Sequence, residues 1–284
     1  MRPGFTGSTV DRADHLRLDL QRLAELRAHA SARLLRLAVH DPCLEDGRLA
    51  WGTLADGSGE EDLIFLGLDG DIPLFAPLPR VEPGQRAWAV FGLLQDMASE
   101  DAALWGTARS LIEWHNRNRF CCNCGTPTRL FRAGWGRKCD TCGAEHFPRV
   151  DPVVIMLAQH DGRVLVGRQP QYPARRYSAL AGFVEPGESI EEAVARELKE
   201  EAGIAVANVR YVASQPWPFP GSLMIACMAD AASDALTRDR TELEAAFWGD
   251  RAGVAAALAG EPGAPFLAPP HFAIAYTLFA RWLA

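Results

Sequence analysis

Apolar side chains in the first third of the chain change from a helical to a strand-like pattern. Residues 14–38 place leucines at roughly helical spacing, which predicts one or two amphipathic helices. From Ala38 to about Phe91, short apolar runs such as Leu63 to Leu68 alternate with turn-forming residues. We therefore expect strands joined by hairpins, with turns at Asp46-Gly47, at Asp56-Gly57-Ser58-Gly59 and at Asp69-Gly70-Asp71.

The middle of the chain begins with a helical pattern from Ser99 to Arg119. Ser99 is its expected cap, and acidic residues fill the first turn. We interpret this helix as the link between an N-terminal domain and the rest of the chain. Elsewhere in that N-terminal part, Asp11, His15, His29 and His40 are scattered, and we expect them to be surface or capping residues.

After Pro148 the pattern alternates strands with helices. The predicted strands are Asp151 to Gln159, Arg163 to Gly167, Val206 to Gln215 and Leu223 to Ala229, with a turn at His160-Asp161-Gly162. Glu242 to Trp248 is predicted as a short helix or strand, and Pro270 to Leu283 as a closing helix. Strands with one helix held over them predict a three-layer domain with a mixed sheet.

The stretch from Gly182 to Ile204 departs from an ordinary amphipathic helix. A Gly-rich turn leads into a helix with a capping box at Ser189 and Glu192 and a stop at Gly203. Its apolar stripe consists of Ile190, Ala193, Val194 and Leu198, and Glu197 and Glu201 fall inside that stripe with Glu200 at its edge. Crowded carboxylates in such a position are costly unless a cation neutralises them, and oxygen ligands suit Mg²⁺ or Mn²⁺. The alternative is a charged surface helix.

Composition limits the class of protein. The chain has 284 residues, is 48% hydrophobic and carries a net charge of −7. These values predict a globular protein of two-domain size and argue against unspecific nucleic-acid binding. No apolar run reaches the length of a membrane span, and the first twenty residues lack the apolar core of a secretory signal. We therefore expect no membrane association and a cytoplasmic location.

Four of the seven cysteines form two Cys-x-x-Cys-Gly pairs. Cys121 and Cys124 are separated by fourteen residues from the second pair, Cys139 and Cys142. Four thiolates at this spacing predict a closed, structural Zn²⁺ site, rather than a redox pair or buried free thiols. The other three cysteines, including Cys122 beside the first ligand, are expected to be spare thiols. Basic residues lie around the two pairs, so contact with nucleic acid stays an alternative role for this ribbon.

The Gly182 stretch matches a known signature at each specified position, namely Gly182-x5-Glu188-x7-Arg196-Glu197-Leu198-x-Glu200-Glu201-x-Gly203-Ile204. On this ground the chain resembles the Nudix hydrolase superfamily. The cysteine ribbon and the sequence Ser214-Gln215-Pro216-Trp217-Pro218-Phe219-Pro220-Gly221-Ser222 resemble its NADH pyrophosphatase branch. The resemblance implies an α+β protein made of an N-terminal α/β domain, a zinc ribbon and a Nudix fold whose mixed sheet lies between helices. The expected segments are 1–98, a linker helix at 99–119, the ribbon at 120–148 and the Nudix domain at 149–284.

The resemblance also implies roles for individual residues. The expected ligands of the catalytic Mg²⁺ or Mn²⁺ ions are Glu197, Glu200, Glu201, Glu242 and the backbone carbonyl of Ala181. Glu201 is the expected residue that orients or deprotonates water, with Glu242 as the second choice. Arg196 should pair with a glutamate of the signature, whereas Glu244 lies off the motif.

Substrate recognition is expected from residues outside the signature. The resemblance implies substrate contacts for Phe147, Phe183, Gln215, Pro216, Trp217, Pro218, Phe219, Pro220, Gly221, Ser222 and Ala275. For the aromatic residues, packing in a core is the competing interpretation. In the branch, the residue at the Phe147 position acts across a homodimer interface, so a homodimer is expected.

The predicted function is hydrolysis of NADH or NAD⁺ to nicotinamide mononucleotide and AMP. The main rival within the enzyme class is removal of the NAD cap from NAD-capped RNA by the same cut, and dinucleoside polyphosphates and ADP-ribose are weaker rivals. A nucleic-acid or protein-binding module with an inert Nudix fold belongs to a different class. The crowded carboxylates argue against that interpretation.

Overall fold

The computed structural model describes residues 2–56, 62–80 and 89–284. The chain divides into two compact units. Unit 1 comprises Met1–Gly4, Asp151–Gln215 and Ser222–Ala284, and unit 2 comprises Phe5–Val150 and Pro216–Gly221. The expected boundary between ribbon and Nudix domain, at 148/149, falls within two residues of the passage from unit 2 to unit 1. The prediction of four separate segments stays a prediction.

Unit 2 contains a four-stranded sheet with short satellite hairpins. In chain order the strands are β1 (Arg33–Leu35), β2 (Leu37–Ala38), β3 (Asp41–Pro42), β4 (Leu44–Glu45), β5 (Arg48–Leu49), β6 (Trp51–Thr53), β7 (Leu63–Asp69) and β8 (Ile72–Pro77). The main sheet has the order β6-β1-β8-β7, in which only β1 and β8 run parallel. Leu34, Phe65 and Phe75 are among its buried core residues.

The β-rich prediction for this region is confirmed, and its left-handed turns lie where expected. Asp46 and Gly47 have φ values of 50° and 76° between β4 and β5, and Gly70 has a φ of 58° between β7 and β8. The predicted turn at Asp56 to Gly59 lies mostly outside the described residues.

The prediction of helices throughout residues 14–38 is wrong at its C-terminal end. A 3₁₀ turn spans Asp14–Leu16, and helix α1 covers only Leu20–Ala28. Leu34 and Leu35 instead belong to β1, because β6 and β8 supply hydrogen-bonding partners on both sides. Leucine spacing alone does not distinguish these outcomes, since a short apolar run fits either a helix or a strand.

Two helices precede the ribbon in unit 2. They are α2 (Ala89–Asp96) and α3 (Ser99–Arg117). Phe91, placed at the end of the β-rich region by the sequence pattern, therefore lies in a helix. Helix α3 is confirmed with its acidic first turn, but the predicted cap is wrong: Ala98 is the capping residue, and Ser99 Oγ donates to the Thr6 carbonyl at 3.0 Å.

Helix α3 is mostly buried, including the charged residues Arg109 and Glu113. It therefore forms part of the core of unit 2. The expectation that His40 is a surface residue is also wrong, because its side chain is buried in the same unit. Asp11, His15 and His29 are exposed, as expected.

The ribbon of unit 2 is a three-stranded antiparallel sheet. Its strands are β9 (Arg129–Phe131), β10 (Gly136–Lys138) and β11 (Glu145–His146), in the order β11-β10-β9.

Unit 1 is built on a six-stranded mixed sheet. Its elements in chain order are β12 (Asp151–His160), β13 (Arg163–Arg168), β14 (Leu180–Phe183), α4 (Ile190–Ala202), β15 (Val206–Trp217, of which the last two residues belong to unit 2), β16 (Ser222–Ala231), β17 (Ala245–Asp250), α5 (Arg251–Ala259) and α6 (Ile274–Leu283). The order is β15-β16-β12-β13-β17, with β14 paired to β12. The long β12–β16 pair is parallel, and the pairs of β12 with β13 and β14 are antiparallel.

The predicted three-layer arrangement of this unit is confirmed. Alternate residues of β12 face opposite sides of the sheet, as strand geometry requires. Val154 and Met156 pack in a core with α4, whereas Ile155 and Leu157 pack in a core with α5 and α6. The sheet therefore lies between helices, as the fold class predicts.

Three details of unit 1 refine the sequence prediction. The segment at Glu242 to Trp248 resolves as a strand that starts at Ala245, which leaves Glu242 in the preceding turn. The closing helix starts at Ile274 rather than Pro270. Helix α5 was not predicted, although Asp250 caps its first turn and Gly260 ends it in a left-handed conformation.

Across the described ranges, no helix is both long and apolar enough to cross a membrane.

Candidate active site

Helix α4 begins and ends at the residues that the sequence predicts. Ser189 Oγ accepts a hydrogen bond from the Glu192 N–H at 3.2 Å, and Glu192 Oε2 accepts one from the Ser189 N–H at 2.7 Å. Gly203 ends the helix with a φ of 74°. The capping box and the C-terminal stop are therefore confirmed. Together they fix the position around the helix axis of each side chain on α4.

Two glutamates of α4 face the protein interior. Glu197 and Glu201 are only 8% and 3% exposed, alongside the apolar residues Val194 and Leu198. Glu200 is exposed. The predicted stripe is confirmed for Ala193, Val194 and Leu198, with two carboxylates buried inside it, but it is wrong for Ile190, which lies exposed at the first turn of the helix. Removing a carboxylate from water is costly, so this arrangement calls for a compensating positive charge or a proton.

Arg196 supplies part of that compensation. Its Nε and Nη2 donate to the two oxygens of Glu188 at 2.6 and 3.0 Å. Its Nη1 donates to Glu197 Oε1 and to Glu200 Oε2, both at 2.9 Å, and its Nη2 donates to the Phe183 carbonyl at 2.9 Å. The expected pairing of Arg196 with a glutamate of the signature is confirmed. The guanidinium orients one oxygen each of Glu197 and Glu200 and ties the helix to the end of β14.

Glu201 has no such partner. Its Oε2 is buried without a hydrogen bond among the described residues. Burial, and then the negative charges of Glu197 and Glu242, raise the pKa of Glu201 to about 8. Burial also raises the pKa of Glu197, against the opposing effect of Arg196. A carboxylate in this condition either holds a proton or faces a cation.

The donor set fits a divalent cation. Glu197, Glu200, Glu201 and Glu242 offer carboxylate oxygens, the ligands that Mg²⁺ and Mn²⁺ prefer, and the partnerless oxygen of Glu201 is the observation on which that fit rests. These carboxylates do not converge on one point as tightly as the ribbon cysteines do. In the described part of the chain, only the cysteines form a group of three or more ligand-type side chains within 4.8 Å.

A small cleft in unit 1 brings Glu201 together with residues from other elements. Ala181 of β14, Leu243, Gln169 and Tyr172 line it beside Glu201. The structure therefore places the predicted Ala181 next to the predicted Glu201. Gln169 and Tyr172 were not predicted. Burial and the negative charge of Glu201 raise the pKa of the Tyr172 phenol.

Arg168 fixes the loop that carries Tyr172. Its Nη2 donates to the Tyr172 carbonyl at 2.6 Å, and its Nη1 donates to Glu244. Glu244 is thus engaged in an ion pair with Arg168, in agreement with its position off the metal motif.

Gly182 leaves room for a glutamate of the site. A Cβ built on Gly182 would lie 1.8 Å from Glu197 Cδ and 1.9 Å from its Oε1. Any side chain at this position would therefore displace the Glu197 carboxylate. This is a physical reason for glycine at the first position of the signature.

The predicted substrate contacts in unit 1 differ widely in exposure. Phe183 is 59% exposed, so its ring is open to a ligand. Gln215, Ser222 and Ala275 are buried. Gln215 Nε2 donates to the carbonyls of Gly4 and Phe272 at 3.0 and 2.7 Å, and its Oε1 accepts from the Ile274 N–H at 2.8 Å. Its amide thus joins the start of the chain to the start of α6.

In unit 2, Phe147 is 39% exposed, and the residues Pro216–Gly221 form what we call the Pro-rich segment. Pro216 is exposed, and Trp217 is half-buried. Phe219 is buried among aromatic rings, with Phe91 at 5.0 Å and Trp105 at 6.1 Å between centroids. The exposed ring of Phe147 thus fits the interpretation as a ligand contact, and the buried ring of Phe219 fits the interpretation as core packing.

The four predicted zinc ligands meet in the ribbon. Cys121 Sγ lies 3.5 Å from Cys142 Sγ, and Cys124 Sγ lies 3.5 Å from Cys139 Sγ. A tetrahedral Zn²⁺ with Zn–S bonds of about 2.3 Å sets sulfur–sulfur separations of about 3.8 Å, so the donor set fits the ion. Gly125 and Gly143, which follow the two pairs, have φ values of 74° and 73°, as two zinc knuckles require.

Neighbouring residues support this choice of ligands. The exposed Cys122 stands outside the cluster. His146 Nε2 lies 3.3 Å from Cys121 Sγ, where an N–H would support a metal-bound thiolate. The geometry therefore favours Cys121 over Cys122 as the first ligand.

Comparison with known proteins agrees with this geometry. The NUDIX domain family matches residues 148–268, and the NADH pyrophosphatase zinc ribbon domain matches residues 116–147. The NAD-capped RNA hydrolase NudC of Mycobacterium tuberculosis is 38% identical over 306 residues, covering 97% of this chain and 93% of that protein. The chain belongs to the Nudix hydrolase family, in the branch with an NADH pyrophosphatase zinc ribbon.

Other relatives of this Nudix hydrolase differ in length. The NAD-capped RNA hydrolase NUDT12 of Homo sapiens is 42% identical over 200 residues, which is 67% of this chain but only 43% of NUDT12. The chain thus spans less than half of that relative. A solved NUDIX hydrolase from Nitrosomonas europaea aligns with 21% identity and a TM-score of 0.40, over 46% of this chain and 77% of that chain.

Proposed function

We propose that this Nudix hydrolase cleaves the pyrophosphate of NADH or NAD⁺, giving nicotinamide mononucleotide and AMP, with Mg²⁺ or Mn²⁺ as the catalytic ion. The observation that carries the proposal is the buried Glu201, which lies near a second buried carboxylate, Glu197, and whose Oε2 has no hydrogen-bond partner among the described residues. A site of this kind gains most from a divalent cation, and a cation is what a doubly charged pyrophosphate needs for hydrolysis.

In this proposal the residues of the site have different roles. Glu201 orients the attacking water and accepts its proton, because its carboxylate is the most buried and has a raised pKa. Glu197, Glu200, Glu201 and Glu242 would hold the cation together with the Ala181 carbonyl. When bound, the cation would lower the pKa of the water and neutralise charge on the pyrophosphate. Arg196 keeps Glu197 and Glu200 in place through its hydrogen bonds.

The choice of a dinucleotide substrate rests on features outside α4. The exposed ring of Phe183 is the proposed stacking partner for a base, and Phe147 is a second candidate. The Pro-rich segment is the proposed recognition element of the nicotinamide dinucleotide, since its sequence is the mark of the NADH pyrophosphatase branch. Gln215 and Ala275 are buried, so we propose that they shape this region rather than contact the ligand.

The first experiment incubates the purified protein with NADH and Mn²⁺ and separates the products by chromatography. We expect the reduced mononucleotide and AMP in equal amounts, and no products when EDTA replaces the ion. Intact NADH after incubation with Mn²⁺ or Mg²⁺ would rule out the proposed activity.

Removal of the NAD cap from RNA is the second candidate. It is favoured by the names of the relatives from M. tuberculosis and H. sapiens, both NAD-capped RNA hydrolases. Both substrates present the same bond to the same carboxylates. Measuring kcat/KM on free NADH and on NAD-capped RNA with one enzyme preparation ranks the two.

Replacing Gly182 by alanine should lower activity strongly without unfolding the protein. The new methyl group takes the position of the Glu197 carboxylate, and a displacement of about 1 Å in a catalytic group can cost about a hundredfold in rate. The measurement is kcat for NADH hydrolysis with thermal unfolding recorded in parallel. Gly263→Ala is the matched control, because a Cβ there meets no atom within 4 Å. Equal activity of the two variants would contradict the proposed role of Glu197.

We further propose a homodimer and a cytoplasmic location. The exposed ring of Phe147, at the position that acts across the dimer interface in this branch, supports the first. Seven cysteines without a disulfide among them support a reducing compartment.

A further inference from the structure

The Pro-rich segment has few means of holding its own shape. Three of its six residues are prolines, which lack an N–H and cannot donate a hydrogen bond. Within the segment, the Phe219 N–H donates to the Trp217 carbonyl at 2.9 Å. The Pro218 carbonyl takes its donor from outside the segment.

Helix α3 supplies such a donor in Arg109. Arg109 is 2% exposed, and its Nε donates to the Pro218 carbonyl at 3.0 Å. Its guanidinium lies 5.0 Å from the centroid of the Phe219 ring and 5.7 Å from that of Trp105. Arg109 therefore contacts two successive residues of the segment, one by a hydrogen bond and one by a cation–π contact.

A buried polar cluster fixes Arg109 in turn. Its Nη1 donates to Asp41 Oδ1 at 3.3 Å, and its Nη2 lies 3.7 Å from Oε1 of Glu113, one helical turn further along α3. His40 Nδ1 lies 3.5 Å from the same oxygen of Glu113. Glu113 Oε2 and His40 Nδ1 have no hydrogen-bond partner among the described residues. The fold thus keeps an incompletely satisfied charged cluster at a position where apolar side chains would be less costly.

Helix α3 is also shaped to let the segment pass. Gly106 lies in the helix interior, where glycine is unfavourable. A Cβ at Gly106 would lie 3.2 Å from Phe5 Cδ1 and 3.4 Å from Pro218 Cγ. Within one turn, the helix therefore has a glycine that leaves room for the Pro218 ring and a buried guanidinium that donates to the Pro218 carbonyl.

We propose that Arg109 is a positioning residue for substrate recognition. By holding the Pro218 carbonyl and the Phe219 ring, it fixes the Pro-rich segment in the conformation that accepts the nicotinamide dinucleotide. This assigns a task to the N-terminal part of the chain, namely to hold the segment that enters unit 2 after Gln215 and leaves it before Ser222. The inference rests on the proposed hydrolysis of NADH.

The test compares Arg109→Met with Arg109→Lys and the parent protein. Arg109→Met keeps the aliphatic stem and removes the donors, so we expect KM for NADH to rise about tenfold with kcat nearly unchanged. Arg109→Lys, which keeps the positive charge on a single ammonium group, should recover part of that loss. Arg48→Met is the matched control. Arg48 donates to Asp101, which lies on α3 like Arg109, so this variant also removes an arginine that contacts α3. We expect its KM to equal that of the parent.

Hydrogen exchange gives a readout that needs no turnover. In Arg109→Met, peptides that include residues 216–221 should exchange faster than in the parent, while peptides of α4 should not change. If Arg109→Met does not fold, Arg109→Met combined with Glu113→Leu removes both buried charges and is measured in its place.

Two results would overturn the inference. One is a folded variant with the KM and the exchange of the parent, and the other is faster exchange spread evenly through unit 2 with KM unchanged. If the parent itself does not hydrolyse NADH, the proposed function fails instead, and the exchange experiment still reports whether Arg109 holds the segment.

Discussion

Replacing Glu201 with glutamine should lower kcat for NADH by about two to four powers of ten, the usual contribution of a general base. Glutamine keeps the shape of the side chain but can neither bind a cation by charge nor accept a proton from water. The measurement is the steady-state rate at saturating NADH and Mn²⁺. Glu191→Gln is the control, because Glu191 is on the same helix and exposed to solvent. Full activity of Glu201→Gln would show that the mechanistic assignment is wrong.

The same variant should change how the metal-free protein responds to pH. Burial raises the pKa of Glu201 to about 8 in the folded state, above the ordinary value of 4.5. Between these values the folded state holds a proton that the unfolded state has released, so the stabilising contribution is complete below about pH 4.5 and is lost as the pH rises through about 8. Thermal unfolding in EDTA should therefore show a stability that falls over this range in the parent more steeply than in Glu201→Gln. Equal slopes would mean that Glu201 is not desolvated.

Helix α4 was predictable because its signals are local. The capping box joins residues three apart, the stop is a single glycine, and the burial of Glu197 and Glu201 follows from the spacing of apolar residues on one helix. The zinc ligands were predictable for a similar reason, since each Cys-x-x-Cys pair forms within one turn.

The buried cluster around Arg109 was not predictable in this way. His40 and Glu113 are close in space but far apart in the sequence, and no periodicity links them. His40 looked like a surface residue because a single histidine in a turn-rich segment carries no sign of burial. Tyr172 was missed because its loop contains no motif, although it reaches the cleft of Glu201. Tertiary packing, rather than local pattern, places these residues.

Strand β1 shows a second limit. Leu34 and Leu35 continue the leucine spacing of α1, yet they form a strand because β6 and β8 offer backbone partners on both sides. Periodicity reports which residues avoid water. It does not report which neighbours will be available to satisfy the backbone.

Replacing Cys139 with serine should abolish zinc binding and unfold the ribbon. Cys139 is a buried member of the group of four cysteines, and a serine hydroxyl is a poor substitute for a thiolate ligand. Zinc binding in small structural sites contributes on the order of 10 kcal/mol, comparable to the whole stability of a domain. The measurements are the zinc content of the purified protein by mass spectrometry and its thermal unfolding. We expect one zinc per chain in the parent and none in the variant, which should also unfold at lower temperature.

Cys122 provides the matched control for this zinc prediction. It is adjacent to the ligand Cys121 in sequence and is exposed, but it lies outside the group of four. Cys122→Ser should therefore keep both the zinc and the unfolding temperature of the parent. Loss of zinc from Cys122→Ser would reassign the first ligand. A chelator that removed zinc from the parent and left it folded and active would show that the ribbon does not depend on the ion. The ribbon belongs to the same unit as the Pro-rich segment. We therefore expect partial loss of zinc to raise KM for NADH while kcat is still unchanged.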